Sequence, residues 1–124
     1  RFKGMQDEGN IAKAKGELRT LQTAVESYYI HNGNTLPATL AALAGAVPNL
    51  VGTVTSMPKD PFKATVAGVA QDYSYSPGTV YFAIYSVGPN KDGSAGVPDA
   101  TTGISTIGGD CVYVTNGSGS KPSL

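Results

Sequence analysis

The fold of this chain is decided by residues 11–33, which read IAKAKGELRTLQTAVESYYIHNG. Apolar side chains recur there at alternating spacings of three and four residues, which is the repeat of one face of an α-helix. The apolar stripe consists of Ile11, Ala14, Leu18, Leu21, Val25 and Tyr28. Ala, Leu, Glu, Lys and Gln fill most of the other positions and favour a helix. The pattern therefore predicts an amphipathic helix over residues 1–31, with this stripe facing a core.

Glycines interrupt the predicted helix at Gly4, Gly9 and Gly16. Each costs about 1 kcal/mol in a helix interior, so we expect support from the rest of the domain or from neighbouring molecules. The helix is expected to end at residues 31–34, His-Asn-Gly-Asn, because Asn and Gly readily adopt the left-handed conformation of a helix cap.

Shorter elements are predicted after this helix. Residues 37–47 are expected to form a short second helix, apolar on Leu40, Leu43 and Val47. Residues 51–61 contain one glycine and two prolines, and they predict a loop with at most one short extended piece.

The C-terminal half is rich in residues that favour strands. Tyr73 and Tyr75 alternate with serines, Pro77-Gly78 predicts a turn, and residues 80–87 predict a strong strand, so the two runs imply a hairpin. The four tyrosines of this hairpin, which include Tyr81 and Tyr85, are expected to pack in the core and across strands. The remaining segments are expected to be a long loop at 88–109, a last strand at 111–115 and a flexible tail at 116–124.

The order of these elements predicts an α+β fold in a single domain spanning residues 1–124. A long N-terminal helix comes first, and a small antiparallel sheet with a long loop between its last strands comes last. The helix stripe and the sheet each have one apolar face, so packing them together buries both. The main core is expected to form where Ile11, Leu18, Leu21 and Val25 meet the hairpin.

Composition excludes several classes of function. Nine basic and nine acidic residues give a formal net charge of zero, which does not favour nucleic-acid binding. His31 and Cys111 are the only residues of their types, so no internal disulfide can form. We expect His31 to belong to the helix end and Cys111 to be a small core residue. The sequence supplies neither an oxyanion motif nor an orienting third group for a pair of His31 and Cys111, and it has no glycine-rich phosphate loop. It therefore predicts no catalytic residue and no small-molecule substrate.

Four motifs in this order resemble those of the major pseudopilins of type II secretion, within the type IV pilin-like family. They are residues 21–33 followed by Leu36-Pro37; Met57-Pro58-Lys59-Asp60-Pro61-Phe62; Tyr73 to Tyr75; and Ile84-Tyr85-Ser86-Val87-Gly88 leading into an acidic, glycine-rich loop. The similarity covers Ile11 to Asp99, and it implies a pilin-like fold.

The resemblance implies a structural subunit of a periplasmic pseudopilus that drives protein export by type II secretion. Its expected partners are further copies of itself, minor pseudopilins and the inner membrane, which it would enter through an N-terminal helix. The expected location is the inner membrane with a periplasmic domain, or an extracellular filament. Accordingly, we expect an apolar segment of about twenty residues, long enough to cross a bilayer, directly before Arg1.

Calcium is the one cofactor that the resemblance implies, because major pseudopilins bind it in the acidic loop. Asp92 and Asp99 match best as ligands, and Asn90 is the alternative at the start of the loop. Carboxylate, amide and backbone oxygens are ligands that Ca²⁺ accepts. The residues alone leave another interpretation open, because Asn, Asp and Gly also form turns without any metal.

Two other functions remain open at this stage. A type IV pilin for adhesion or motility would share the fold, although many such pilins close their C-terminal loop with a disulfide that this chain cannot form. An extracellular, calcium-stabilised binding module would need no filament.

Overall fold

The computed structural model describes residues 2–45 and 57–123. The first helix, α1, spans Phe2–His31, and a short 3-10 helix spans Leu40–Gly45. The strands are β1 (Ser74–Pro77), β2 (Phe82–Ser86), β3 (Ser94–Ala95), β4 (Ile104–Ser105), β5 (Ile107–Gly108), β6 (Val112–Thr115) and β7 (Ser118–Gly119). A long N-terminal helix on a small antiparallel sheet confirms the predicted pilin-like α+β class.

The end of α1 is capped as its sequence predicts. Gly33 and Asn34 both have positive φ angles, 65° and 59°, so the chain turns left-handed directly after the helix. The backbone N–H of Asn34 donates to the carbonyl of Tyr29 at 2.9 Å, and the side-chain amide of Asn32 donates to the carbonyl of Tyr28. These bonds satisfy carbonyls that would otherwise lack a partner in the last turn.

The main sheet has the strand order β1-β2-β6, with both pairings antiparallel. Pro77 lies opposite Phe82, and the N–H of Gly78 donates to the carbonyl of Tyr81 at 2.8 Å, which closes the predicted hairpin turn. On its other edge β2 pairs with β6, the predicted last strand, and Ser86 lies opposite Val112.

The main core lies between α1 and one face of this sheet. Leu18, Leu21 and Val25 are fully buried there, and Ile11 packs against them partly exposed, as predicted. The sheet contributes Tyr73, Phe82, Ile84 and Val112. Burial of a Leu-sized side chain stabilises a fold by roughly 1.5–3 kcal/mol, so this contact fixes how the helix lies on the sheet.

A second, smaller core lies on the other face of β2. Ala83, Ala95, Ile107 and Cys111 are buried in it, and Tyr85 and Tyr113 pack against it. Because successive residues of a strand point to opposite faces, β2 contributes side chains to both cores. The buried position of Cys111 confirms the predicted small core residue.

The structure differs from the sequence-based expectation after residue 88. Three short strands lie within the predicted loop 88–109, and Ser118–Gly119 of the predicted flexible tail pairs in parallel with β4. These strands consist of two residues each, drawn from Ser, Ala, Ile and Gly. Their pairing depends on partners distant in sequence, so local propensity underestimates it.

The second helix begins at Leu40, later than the predicted start at residue 37. The 3-10 helix occupies only part of residues 37–47, although Leu40 and Leu43 are buried as expected. Val47 and most of the predicted loop at 51–61 lie outside the described residues.

Candidate functional site

The acidic segment forms a hairpin in which β3 pairs with β5, with Ser94 opposite Gly108. We call residues 93–109 the C-terminal hairpin. Its pairing extends past the two strands, because the N–H of Gly96 donates to the carbonyl of Thr106 at 2.9 Å. The two ends of this hairpin hold different predicted site residues.

Asn90 and Asp92 lie at the hairpin base, together with Asp110. The Oδ1 atom of Asp92 accepts the backbone N–H of Asp110 at 3.0 Å, and the side-chain amide of Asn90 donates to the Asp110 carboxylate. The N–H of Gly93 donates to the carbonyl of Val87 at 2.7 Å, which holds this base at the end of β2.

Glycine is required where the chain segments of the base approach each other. Gly88 has a φ of 77°, and a Cβ atom there would lie 1.7 Å from the carbonyl oxygen of Asp110. Any side chain at Gly88 would therefore push residue 110 away and open the base.

Asp99 lies at the opposite end, in the hairpin turn. Its Oδ1 atom accepts the backbone N–H groups of Thr101 at 2.8 Å and Thr102 at 2.9 Å, and its own N–H donates to the carbonyl of Ile104. The two amide hydrogen bonds favour the ionised carboxylate and lower the pKa of Asp99. Asp99 thus acts as a turn-forming residue, the alternative that the sequence left open.

The structure does not bring Asp92 and Asp99 to one point. Pro98, next to Asp99, lies against Gly78 at the β1–β2 turn, whereas Asp92 lies near Val87 at the other end of β2.

One Ca²⁺ ion needs its ligand oxygens within about 2.6 Å of itself, so the predicted pair does not fit a single ion. Among the described residues no group of three or more His, Cys, Asp or Glu side chains could hold a metal ion. Asp110, which completes the base, was not singled out from the sequence; its only signal was an acidic residue directly before the last strand. The calcium site therefore rests on the family resemblance alone.

A buried carboxylate joins the proline-bracketed motif to the sheet. Asp60 is 3 % exposed, and its Oδ1 atom accepts the N–H of Phe62 at 2.9 Å and the hydroxyl of Ser86 at 2.7 Å. Its Oδ2 atom accepts the N–H of Val87 at 3.0 Å. In the sequence this motif is recognised only by its resemblance to the family. In the structure Asp60 holds residues 57–62 at the end of β2.

Two tyrosines connect the helical part to the sheet. The hydroxyl of Tyr73 donates to Glu17 on α1 at 2.5 Å, and that of Tyr75 donates to the carbonyl of Pro37 at 2.7 Å. Burial raises the pKa of both phenols, and the Glu17 carboxylate raises that of Tyr73 further. Both therefore stay protonated donors, which agrees with the structural role predicted for them.

His31 and Cys111, whose side chains could serve as a general base and a nucleophile, both have structural roles. The Nδ1 atom of His31 lies 2.8 Å from the carbonyl oxygen of Ser27, at the end of α1 as predicted. Burial raises the pKa of the Cys111 thiol to about 12, so it is protonated and unreactive near neutral pH.

The N-terminal part of α1 extends beyond the core. The helix is roughly 45 Å long, at about 1.5 Å for each of its 30 residues. Among the described side chains of this helix, the first that packs against the core is that of Ile11, whereas Met5 is 65 % exposed. A Cβ atom at Gly4, Gly9 or Gly16 would meet nothing within 4 Å, so nothing in the described fold requires these glycines. The described helices include none whose length and apolar character would suit a bilayer span.

Comparison with protein families gives a match over most of the chain. The model of a family described as "Type II secretion system (T2SS), protein G" matches residues 1–107. The matched range contains α1, the β1–β2 hairpin and the C-terminal hairpin as far as Ile107. Comparison with curated proteins and with solved structures gives no significant match.

Proposed function

Because the chain belongs to the family of type II secretion system protein G, the major pseudopilin, we propose that it is a structural subunit of a pseudopilus. Copies of the chain assemble through α1 with one another and with minor pseudopilins into a periplasmic filament. An apolar helix holds the subunit in the inner membrane before assembly. The growing filament pushes folded proteins through a channel in the outer membrane, and the subunit itself performs no catalytic step.

The observation that carries this proposal is the projection of α1 beyond its own sheet. About ten residues of helix, or roughly 15 Å, extend past the first core contact. This part of the helix contains Gly4 and Gly9, each of which costs about 1 kcal/mol in a helix interior, so packing against other helices would stabilise it. The exposed Met5 and the open glycines provide a surface that a neighbouring helix can approach closely.

In such a filament we expect the sheet and hairpins to form the outer layer, and the same geometry supports this. They cover one side of α1 only, through the stripe that contains Leu18, Leu21 and Val25. The other side stays open for contacts between subunits. A contact that uses different surfaces on the two copies generates an open helical assembly and not a closed ring.

The experiment is gene deletion followed by complementation with the full-length gene, with protein export as the readout. We expect deletion to abolish export and the wild-type gene to restore it. Met5→Arg should fold normally, with an unchanged melting temperature for the chain of residues 1–124, because the side chain is exposed. It should fail to restore export, because a charge at that position cannot pack between helices.

Val66→Arg is the matched control, because Val66 is 62 % exposed but lies outside α1. This variant should restore export. Normal export in the deletion strain, with loss of surface motility or adhesion instead, would refute the secretion role and favour a type IV pilin. Restoration of export by Met5→Arg would refute assembly through the projecting part of α1.

A further inference from the structure

The C-terminal hairpin has few apolar contacts of its own. Val97 is 64 % exposed and Ile104 is 47 % exposed, and only Ala95 and Ile107 of this hairpin belong to the second core. Ordering a segment of this length costs roughly 1–2 kcal/mol per residue in backbone entropy. Other contacts must therefore hold it, and the ligand pair that the family resemblance implies for calcium does not meet.

We propose that residues 116–123, the C-terminal segment, hold the C-terminal hairpin on the sheet without a metal ion. This inference goes beyond the proposed filament role and does not depend on it. The segment follows β6 and lies outside the range that matches the family.

The segment binds residues 103–107, the outer arm of the hairpin, mainly through its backbone. The N–H of Ser118 donates to the carbonyl of Gly103 at 2.8 Å, and the N–H of Ser120 donates to the carbonyl of Ser105 at 2.8 Å. The hydroxyl of Ser120 also accepts the N–H of Ile107 at 2.8 Å. These bonds extend from the hairpin turn to the buried residue Ile107.

The other end of the segment is attached to the main sheet. The hydroxyl of Tyr113 donates to the carbonyl of Lys121 at 2.5 Å, and the N–H of Tyr113 donates to the hydroxyl of Ser123 at 3.0 Å. The segment thus joins the outer arm of the hairpin to β6. A bound ion would perform the same task by drawing two distant parts of the chain together.

Close packing accompanies these hydrogen bonds. A Cβ atom at Gly119 would lie 2.1 Å from the hydroxyl oxygen of Tyr113 and 2.9 Å from Ile107. At Gly117 it would lie 2.1 Å from the carbonyl oxygen of Gly103. Both glycines have φ angles outside the left-handed region, so replacement by Ala would disturb the contact alone and not the local backbone.

The test is amide hydrogen exchange at Ile107, together with the rate of Cys111 labelling, in millimolar CaCl₂ and in excess EDTA. In the wild type we expect both rates to be the same with either addition. Ser120→Ala removes the acceptor for Ile107 and should speed exchange there about fivefold, the effect of one net hydrogen bond. The matched control is Ser118→Ala, which keeps the backbone bond to Gly103 and should leave the rate unchanged.

A second variant tests the packing. Gly119→Ala should speed exchange at Ile107 by about tenfold or more and expose Cys111 to labelling, while circular dichroism shows α1 intact. The proposal would be overturned if CaCl₂ slowed exchange in the wild type and EDTA reversed the effect, because a metal would then hold the hairpin. The proposal would also be overturned if the exchange rate at Ile107 stayed at its wild-type value in both Ser120→Ala and Gly119→Ala.

Discussion

Replacement of the buried carboxylate Asp60 by Ala tests how residues 57–62 are held on the sheet. The change removes the acceptor for the N–H of Phe62, the hydroxyl of Ser86 and the N–H of Val87. Each buried donor left without a partner costs about 1–3 kcal/mol. Partial relaxation and entry of water reduce the sum, and we expect a loss of about 4 kcal/mol in the free energy of unfolding. This is a large fraction of the roughly 5–15 kcal/mol typical of a domain.

The assay is urea unfolding followed by circular dichroism and tyrosine fluorescence, since the chain has no Trp. The midpoint should fall while the slope stays constant. Asp60→Asn should lower the free energy of unfolding by less than Asp60→Ala does, because the amide oxygen of Asn can still accept two of the hydrogen bonds. Some loss remains because its NH₂ group faces the N–H of Val87, and two donors cannot pair.

The matched control is Asp72→Ala, which removes a carboxylate that forms a surface ion pair with Lys59. Exposed pairs of this kind contribute up to about 1 kcal/mol. Equal, small losses in Asp60→Ala and Asp72→Ala would refute the role assigned to Asp60.

Three further outcomes follow from the packing and the turn. In the same urea assay, Leu21→Ala should lower the free energy of unfolding by about 2–5 kcal/mol because the side chain is fully buried. Ile30→Ala, at a 70 % exposed position, should lower it by less than about 0.5 kcal/mol. Equal losses would mean that the helix stripe does not form the core. Cys111, with its pKa raised to about 12, should react with a thiol reagent at pH 8 at least roughly a hundredfold more slowly in the folded chain than in urea, and equal rates would contradict its burial. Because the pKa of Asp99 is lowered by folding, its contribution to stability should be present above about pH 4 and disappear as the pH falls through the folded-state value. The difference in unfolding free energy between wild type and Asp99→Asn should therefore shrink on acidification, and a constant difference would exclude the charge as its cause.

The hairpin residues show why part of the candidate site escaped sequence reasoning. Asn90, Asp92 and Asp99 were found because oxygen-bearing side chains in a glycine-rich segment are visible in any sequence. Which of them meet depends on the pairing of β3 with β5, and that pairing places Asp99 at the turn and Asp92 at the base. Asp110 joins the base only because the returning strand brings it there.

The sequence by itself determined the long helix, its apolar stripe, its left-handed end and the β1–β2 hairpin. These features depend on side-chain periodicity and turn chemistry within a few residues, so local sequence suffices to predict them. Only the tertiary structure decided that Asp60 would be a buried acceptor and that residues 116–123 would pair with the hairpin. The backbone groups that make those pairs are the same in every residue except proline, so their partners are selected by the packing of the whole chain and not by neighbouring side chains.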